Sequence, residues 1–331
     1  MRRVVLSSVF LTLGCGDGDS ESGDTPSTVT AAGTQGDTDG EGSITAAPET
    51  GVTSDDASGT DPTVTTSPTD PTTDPTDPTT DPDDTGAPTT GGGEVVLPPP
   101  DGGLDYQLGG AYAPPDGVQI VSRDRNEAPA PGLYNICYVN GYQAQPDEND
   151  FWLEEHPDLV LRDGNGDPVI DPDWDEMLLD ISTPEKRTAL AAIVGGWITG
   201  CAEAGYQAVE IDNLDTYSRS DGLLTEDNAV EFMTLLSAAA HDVGVAIAQK
   251  NSTEILGRAG EMGTDFCVAE ECSVYDECGD YVDVYGDAVL MIEYGEADFA
   301  QGCADYPGHS IVLRDLYLTT PGDADYVYDA C

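Results

Sequence analysis

With 331 residues, 64 Asp and Glu against 11 Lys and Arg, and a formal charge of −53 at pH 7, the chain carries a field that repels nucleic acid and anionic polymers and attracts cations. Composition also divides it: a short leader, a stretch with almost no large apolar residue, and a C-terminal part large enough for one substantial core.

The chain opens with Arg2 and Arg3, an apolar run from Val4 to Leu13, and Gly14-Cys15. This reads as an export signal over residues 1–15: a basic start, an apolar segment too short to span a bilayer, and a small residue before the cleavage point. Cys15 after Leu13-Gly14 resembles a bacterial lipobox, whose cysteine is lipidated and becomes the new N-terminus. Thr12 stands where Leu is commonest, so an ordinary secretory signal is the alternative. The expectation is an exported protein held at a membrane surface through a lipid on Cys15. No later run is long and apolar enough for a membrane helix.

Residues 16–100 are Thr, Asp, Gly, Pro and Ser, with an Asp-Pro-Thr and Thr-Asp-Pro pattern from Asp61 to Asp84, 18 acidic residues and no Lys or Arg. Low hydrophobicity with charge of one sign leaves too little burial to offset chain entropy, so a disordered, self-repelling acidic tether is expected. With the leader at +2 and the tether at −18, residues 101–331 keep −37.

In 101–331 apolar runs alternate with helical patterns. Strands are expected at Leu104–Leu108, Gly117–Ser122, Leu133–Val139, Ala208–Asp212, Val245–Lys250, Phe266–Glu270, Val289–Tyr294 and Ser310–Arg314. A helix is expected from about Pro184 to Ala204, capped by Ser182 with Glu185 and stopped by Gly205. Another starts after Thr225 and ends at Gly244, and a third covers Thr253 to Ala259. Eight strands separated by helices imply an α/β fold closed as a TIM (β/α)8 barrel. The connection 140–180 reads as a long loop of the kind that lines a site.

Seven cysteines lie in this domain, so at least one is free or pairs with another chain. Cys272 and Cys278 flank a short loop and are the best pair; Cys303 with Cys331 is a further pairing, and Cys137, Cys201 and Cys267 are not apportioned. No spacing fits zinc. Asp163-Gly-Asn165-Gly-Asp167 resembles the start of a calcium loop, but Pro168 replaces the turn glycine and Trp174 the closing Glu, so a solvated turn is expected and no metal or cofactor is assigned. His156, His241 and His309 lie away from the acidic strand ends, which argues against a His-based triad.

The strand ends carry the chemistry. Ala208-Val209-Glu210-Ile211-Asp212-Asn213-Leu214-Asp215 is an apolar strand finishing in acids, with Glu210 and Asp212 on one face. Lys250 and Asn251, Glu270 and Glu271, Glu293 and Tyr294, and Arg314 and Asp315 finish the next four strands. Two carboxylates across a cleft are what glycoside cleavage needs, and crowded acids push one pKa upward. Lys250, one of two lysines in the chain, either balances charge there or contacts sugar hydroxyls. Tyr106, Tyr138, Tyr142, Trp152, Trp174, Tyr217, Tyr275 and Tyr294 are aromatic faces for sugar stacking or for packing.

Leu104-Asp105-Tyr106-Gln107-Leu108, Ile136-Cys137-Tyr138-Val139, Trp174 with Leu179-Asp180-Ile181, Val209 to Asp215, Ala248-Gln249-Lys250-Asn251, Ala269-Glu270-Glu271-Cys272 through Cys278, and Ile292-Glu293-Tyr294 follow one another in an order that resembles glycoside hydrolase family 114. This is the endo-α-1,4-polygalactosaminidase family, and the resemblance covers nearly all of 101–331. It implies Asp212 as the strand-four nucleophile, Glu210 at the variable acidic position before it, and Glu270 or Glu271 as general acid/base, with Glu271 favoured because it abuts Cys272. Substrate contacts are expected from Asp105, Gln107, Tyr138, Asn213, Asp215, Tyr217, Lys250, Glu293, Tyr294 and Arg314. The chain departs at Val139-Asn140-Gly141 and at Ser122-Arg123-Asp124, which leaves the exact sugar open. The implied partner is a galactosamine-containing polysaccharide whose free ammonium groups suit an acidic cleft, and the protein is expected to be a monomer. The rival reading is a barrel that binds carbohydrate without cutting it, or a calcium-dependent surface adhesin.

Overall fold

The computed structural model describes residues 95–331. The leader with Cys15 and the tether up to residue 94 lie outside the described residues. Among the described residues no helix is long and apolar enough to cross a membrane.

Eight parallel strands stand side by side in chain order: β1 Gly103–Gln107, β2 Val118–Asp124, β3 Tyr134–Asn140, β4 Ala208–Asp212, β5 Ala246–Lys250, β6 Phe266–Glu270, β7 Val289–Glu293 and β8 Ser310–Arg314. All eight expected strands are present, with ends shifted by one or two residues. A short β9, Tyr328–Ala330, runs antiparallel on β8.

Alternation along each strand sorts the core. Leu104 and Tyr106, Ile120, Ile136, Ala208, Ala248, Phe266 and Val268, Ile292 and Val312 point into the ring and fill it. The residues between them face outward. Val209, Ile211 and Ile247 pack under α1 Pro184–Ala204 and α2 Glu226–Asp242. Cys267, Ala269, Val289 and Met291 meet Tyr281 and Phe299, which belong to helices introduced below. Strands buried on both faces read as unbroken apolar runs, which is why they were legible. Each fully buried Leu or Ile contributes about 1.5–3 kcal/mol, so this double burial holds the ring.

The helical ring is incomplete. Connections 108–117 and 125–133 carry no helix; Pro114-Pro115 and Pro129, Pro131 remove donors and block helical continuation there. The first α-helix is α1, preceded on the long connection by a 3-10 turn at Pro146–Glu148 and a π-helical turn at Phe151–Glu155. Thr183 caps it by accepting from the Lys186 N–H, whereas Ser182, the expected cap, donates its hydroxyl to Asp180 instead. Gly205 ends it at φ +100°, a conformation glycine adopts without strain. Thr225 and Asn228 form a capping box on α2. A 3-10 turn at Thr253–Arg258 leads into α3 Ala259–Met262, and α4 Cys272–Tyr275, α5 Cys278–Tyr285 and α6 Glu296–Asp305 complete the set.

No backbone ladder joins β1 to β8 among the described residues. Arg314 on β8 bridges the seam: it donates to the Tyr106 carbonyl, to Asp105 Oδ1 at 3.1 Å, and to the Thr319 and Val327 carbonyls at 2.9 and 3.0 Å. Cys137–Cys201 ties β3 to α1, Cys272–Cys278 closes the loop between α4 and α5, and Cys303–Cys331 pins the C-terminus; Cys267 is a buried free thiol. The fold starts upstream of residue 101: Val95 packs on the ring interior and the Val96 carbonyl accepts from Tyr134 Oη at 2.6 Å.

Candidate active site

Inward parity places polar groups above the apolar filling at the C-terminal mouth of the ring. At their centre is Lys250, 2% exposed, whose Nζ lies 2.9 Å from Glu210 Oε1, 3.3 Å from Asp212 Oδ1 and 3.1 Å from Glu270 Oε2. One ammonium therefore serves three carboxylates from three strands, and it also donates to Tyr106 Oη at 2.9 Å.

The three acids differ in access. Glu210 is sealed at 0% exposure and is held by Tyr106 Oη at 2.5 Å and Ser122 Oγ at 2.9 Å. Asp212 and Glu270, at 21% and 24%, reach solvent. Burial raises the Glu210 carboxyl above its ordinary range despite Lys250. Burial alone would raise Asp212 too, but Lys250, the Tyr138 hydroxyl at 2.7 Å and the Asn213 N–H at 2.9 Å outweigh it and hold the carboxyl low. The same carboxylates outweigh the burial of Lys250 and keep it protonated. Burial pushes the phenols of Tyr106, Tyr138 and Tyr294 far up, so they remain donors. Glu270 accepts from Tyr294 Oη and from Asn251 Nδ2 at 3.2 Å, while its own N–H donates to Asn251 Oδ1 at 2.8 Å.

The residue after each of these strands is left-handed: Asn213 at φ +65°, Asn251 at +46° and Glu271 at +54°. Such backbone carries strain for residues other than glycine and persists where surroundings over-determine it. Here it turns the chain off the rim directly after each site side chain.

That turn separates the adjacent glutamates. Glu270 shares inward parity with Phe266 and Val268 and meets Lys250, whereas Glu271 follows the strand in left-handed backbone at the start of α4, where burial, Glu270 and then Asp298 raise its carboxyl. Glu270 thus meets Lys250 together with Asp212, and no ion pair between Glu271 and Lys250 is present among the described residues. Glu210 lies beneath the site, not in the cleft. Asp105 and Gln107 are fully buried and bonded to each other at 2.7 Å, with Arg123 Nε on Gln107 Oε1 at 3.0 Å; together with Arg314 they hold the β1–β8 seam. Glu293 lies on the outer face of β7, accepting from the Ser273 N–H at 2.9 Å. Asp215 is paired with Arg219 at 2.6 Å, and Asn213 accepts from the same guanidinium at 3.2 Å. Tyr217 is half-buried on the turn after β4. Of the expected contacts, Tyr138, Lys250 and Tyr294 join Asp212 and Glu270 at the mouth.

Three further groups join the site, of which only Asn251 stood out in the sequence, as a strand end. Ser122 and Asn251 anchor Glu210 and Glu270, and Glu176, on the long loop, bonds to Asn140 beside Asp212. The loop Asp163–Asp167 is exposed, and Asp163 Oδ1 accepts the N–H groups of Asn165 and Asp167, the solvated turn expected. Among the described residues the one cluster with metal-ligand geometry is Cys272, Cys278 and Glu293, and its two sulfurs are joined as a disulfide.

The family model described as Glycoside-hydrolase family GH114 matches residues 86–331. No curated protein sequence matches the chain. Among solved structures, that of Aspergillus fumigatus Ega3 in complex with galactosamine superposes with a TM-score of 0.57 at 21% identity, covering 72% of this chain and all (100%) of that one. The glycoside hydrolase domain of PelA from Pseudomonas aeruginosa gives a TM-score of 0.43 at 14% identity, over 69% of this chain and 99% of that one.

Proposed function

The chain belongs to glycoside-hydrolase family GH114, and on that premise we propose that it is an exported endo-hydrolase of α-1,4-linked, galactosamine-containing polysaccharide. The observation that carries the chemistry is the shared ammonium. Contacts of 3.3 and 3.1 Å to Lys250 Nζ keep Asp212 Oδ1 and Glu270 Oε2 within about 6.4 Å of each other, the limit set by the two contacts added end to end. The two carboxyls therefore face one pocket, as a pair of acids flanking a scissile bond must, and retention is the outcome proposed here.

In this mechanism Asp212, kept ionised by Lys250, Tyr138 and the Asn213 N–H, attacks the anomeric carbon while Glu270 protonates the departing glycosidic oxygen. Glu270, now a carboxylate, takes a proton from the water that attacks the same carbon. The glycosyl–Asp212 bond breaks and Asp212 regains its charge. Tyr294 and Asn251 hold Glu270 in line for both transfers. Lys250 stabilises the carboxylates that gain and lose charge, and its burial shields that interaction from water.

The test is incubation with an α-1,4-linked galactosamine polymer, scored by new reducing ends and product length. Fragments of intermediate length support endo cleavage; binding without new ends refutes the enzyme. Anchoring through Cys15 rests on the leader and is tested by Cys15→Ser, which moves the protein from the membrane to the soluble exported fraction.

A further inference from the structure

Glu210, Asp212 and Glu270 share the Lys250 ammonium; Glu176, close to Asp212, has no ion-pair partner among the described residues. It sits at the rim because the next residues, Met177–Leu178, pair with Gln143–Ala144, and because its carbonyl accepts from the Asp171 N–H at 2.8 Å. One carboxylate oxygen, Oε2, accepts from Asn140 Nδ2 at 2.8 Å. Asn140 ends β3 and accepts in turn from Asn213 Nδ2 at 3.0 Å, next to Asp212. The other oxygen has no protein donor and is not enclosed. Glu176 is therefore a half-buried carboxyl, held through one oxygen and able to accept through the other, beside the reacting carboxylate.

We propose that Glu176 recognises a free, positively charged amino group of the substrate, so that the site takes a deacetylated amino sugar in preference to its N-acetylated form; this rests on the galactosamine reading above. An ammonium set against Glu176 gains a charge-assisted hydrogen bond at an oxygen that no protein cation pairs with directly, Arg219 acting only from beyond ion-pair distance. An N-acetyl group there is neutral and larger, and it leaves the carboxylate partly desolvated without a counter-charge. Burial first, then Asp212 and Asp171, raise the Glu176 carboxyl to about 7 in the free protein, against the pull of Asn140 and Arg219. The neighbouring Tyr138 phenol stays neutral and adds no charge of its own. The residue is thus poised to ionise when a cation arrives.

The test titrates the full chain with galactosamine and with N-acetylgalactosamine, monosaccharides that offer no internal linkage to cut. The wild type is expected to bind galactosamine more tightly. Glu176→Gln, which can still accept from Asn140, is expected to weaken galactosamine about tenfold and leave N-acetylgalactosamine unchanged. Equal loss toward both sugars, or a preference that survives the substitution, overturns the proposal. A wild type without the preference also overturns it. A second arm needs no variant: wild-type affinity for galactosamine falls as pH drops through about 7 while that for N-acetylgalactosamine stays flat, and parallel curves refute the assignment. A Glu176-dependent preference in a protein that generates no reducing ends from polymer would sink the hydrolase reading and leave this one standing.

Discussion

Lys250 Nζ lies 3.3 Å from Asp212 Oδ1, bringing together the last residues of two adjacent strands. The pair is asymmetric in access: the lysine is sealed while the aspartate reaches solvent. A buried cation whose partners face the cleft can set the charge of the reacting groups without itself meeting substrate.

Asp212→Asn and Glu270→Gln should each lose about 10²–10⁴-fold in kcat while melting within a few degrees of wild type. Glu271→Gln should keep near-wild-type turnover, because Glu270 and not Glu271 shares Lys250 with Asp212. Reducing-end assays on the three variants decide between the two adjacent glutamates. Activity lost in Glu271→Gln and kept in Glu270→Gln would reverse the assignment.

Removing Lys250 leaves three carboxylates without their counter-charge. Lys250→Met should destabilise the domain by about 3–5 kcal/mol in denaturant unfolding, as expected when one partner of a buried ionic network is deleted. Glu210→Gln in the same background should recover part of that loss, since it removes one of the stranded charges. No recovery would mean that Glu210 is neutral in the fold irrespective of the lysine.

Glu176 gives a signed pH effect on stability. Its folded pKa is raised from 4.5 to about 7, so between these values the native state holds a proton that the unfolded chain releases. Its contribution is fully present below about 4.5 and is lost as pH climbs through about 7. Glu176→Gln should therefore raise the melting temperature at pH 8 and have little effect at pH 4, by at most about 1 kcal/mol once solvent screening is allowed for. Asp212 works in the opposite sense: its lowered pKa adds stability above the unfolded value that is lost on acidification. Thermal melts of both variants across this range check the signs.

Steering of a cationic polymer by a domain of charge −37 should be sensitive to salt. With the screening length falling from about 10 Å at 0.1 M to 3 Å at 1 M, kcat/KM on a deacetylated galactosamine polymer should drop several-fold while that on a neutral, fully acetylated polymer changes little. Equal salt dependence on both polymers would remove the electrostatic argument.

The strands and their acidic ends were legible because double burial writes each as an apolar run that stops at a polar residue, as at Val209 to Asp212. Parity within a strand was equally readable, and it paired Glu210 with Asp212. At Glu270 and Glu271 the sequence offers two conflicting signals, parity with Phe266 and Val268 for the first and adjacency to Cys272 for the second. The left-handed turn at Glu271 has no signature in a non-glycine residue. Asp105, Gln107 and Arg314 were taken for substrate contacts because a polar strand end looks the same whether it faces a cleft or closes a seam; only the β1–β8 juxtaposition distinguishes them. Glu176 was invisible because a short backbone pairing between distant parts of one loop brings it to the rim. α5 and α6 lack side-chain N-caps, which removes the signal that marked α1 and α2.

The seam has a consequence for how the molecule is born. Its bridging arginine is held by carbonyls at Thr319 and Val327, and the final residue is fastened to Cys303. One side of the closure is thus supplied by β1, made early, and the other by residues 314–331, made last of those described. Until residues 314–331 have left the ribosome, β1 has nothing to lie against across the seam, so its edge is expected to stay open in a nascent chain.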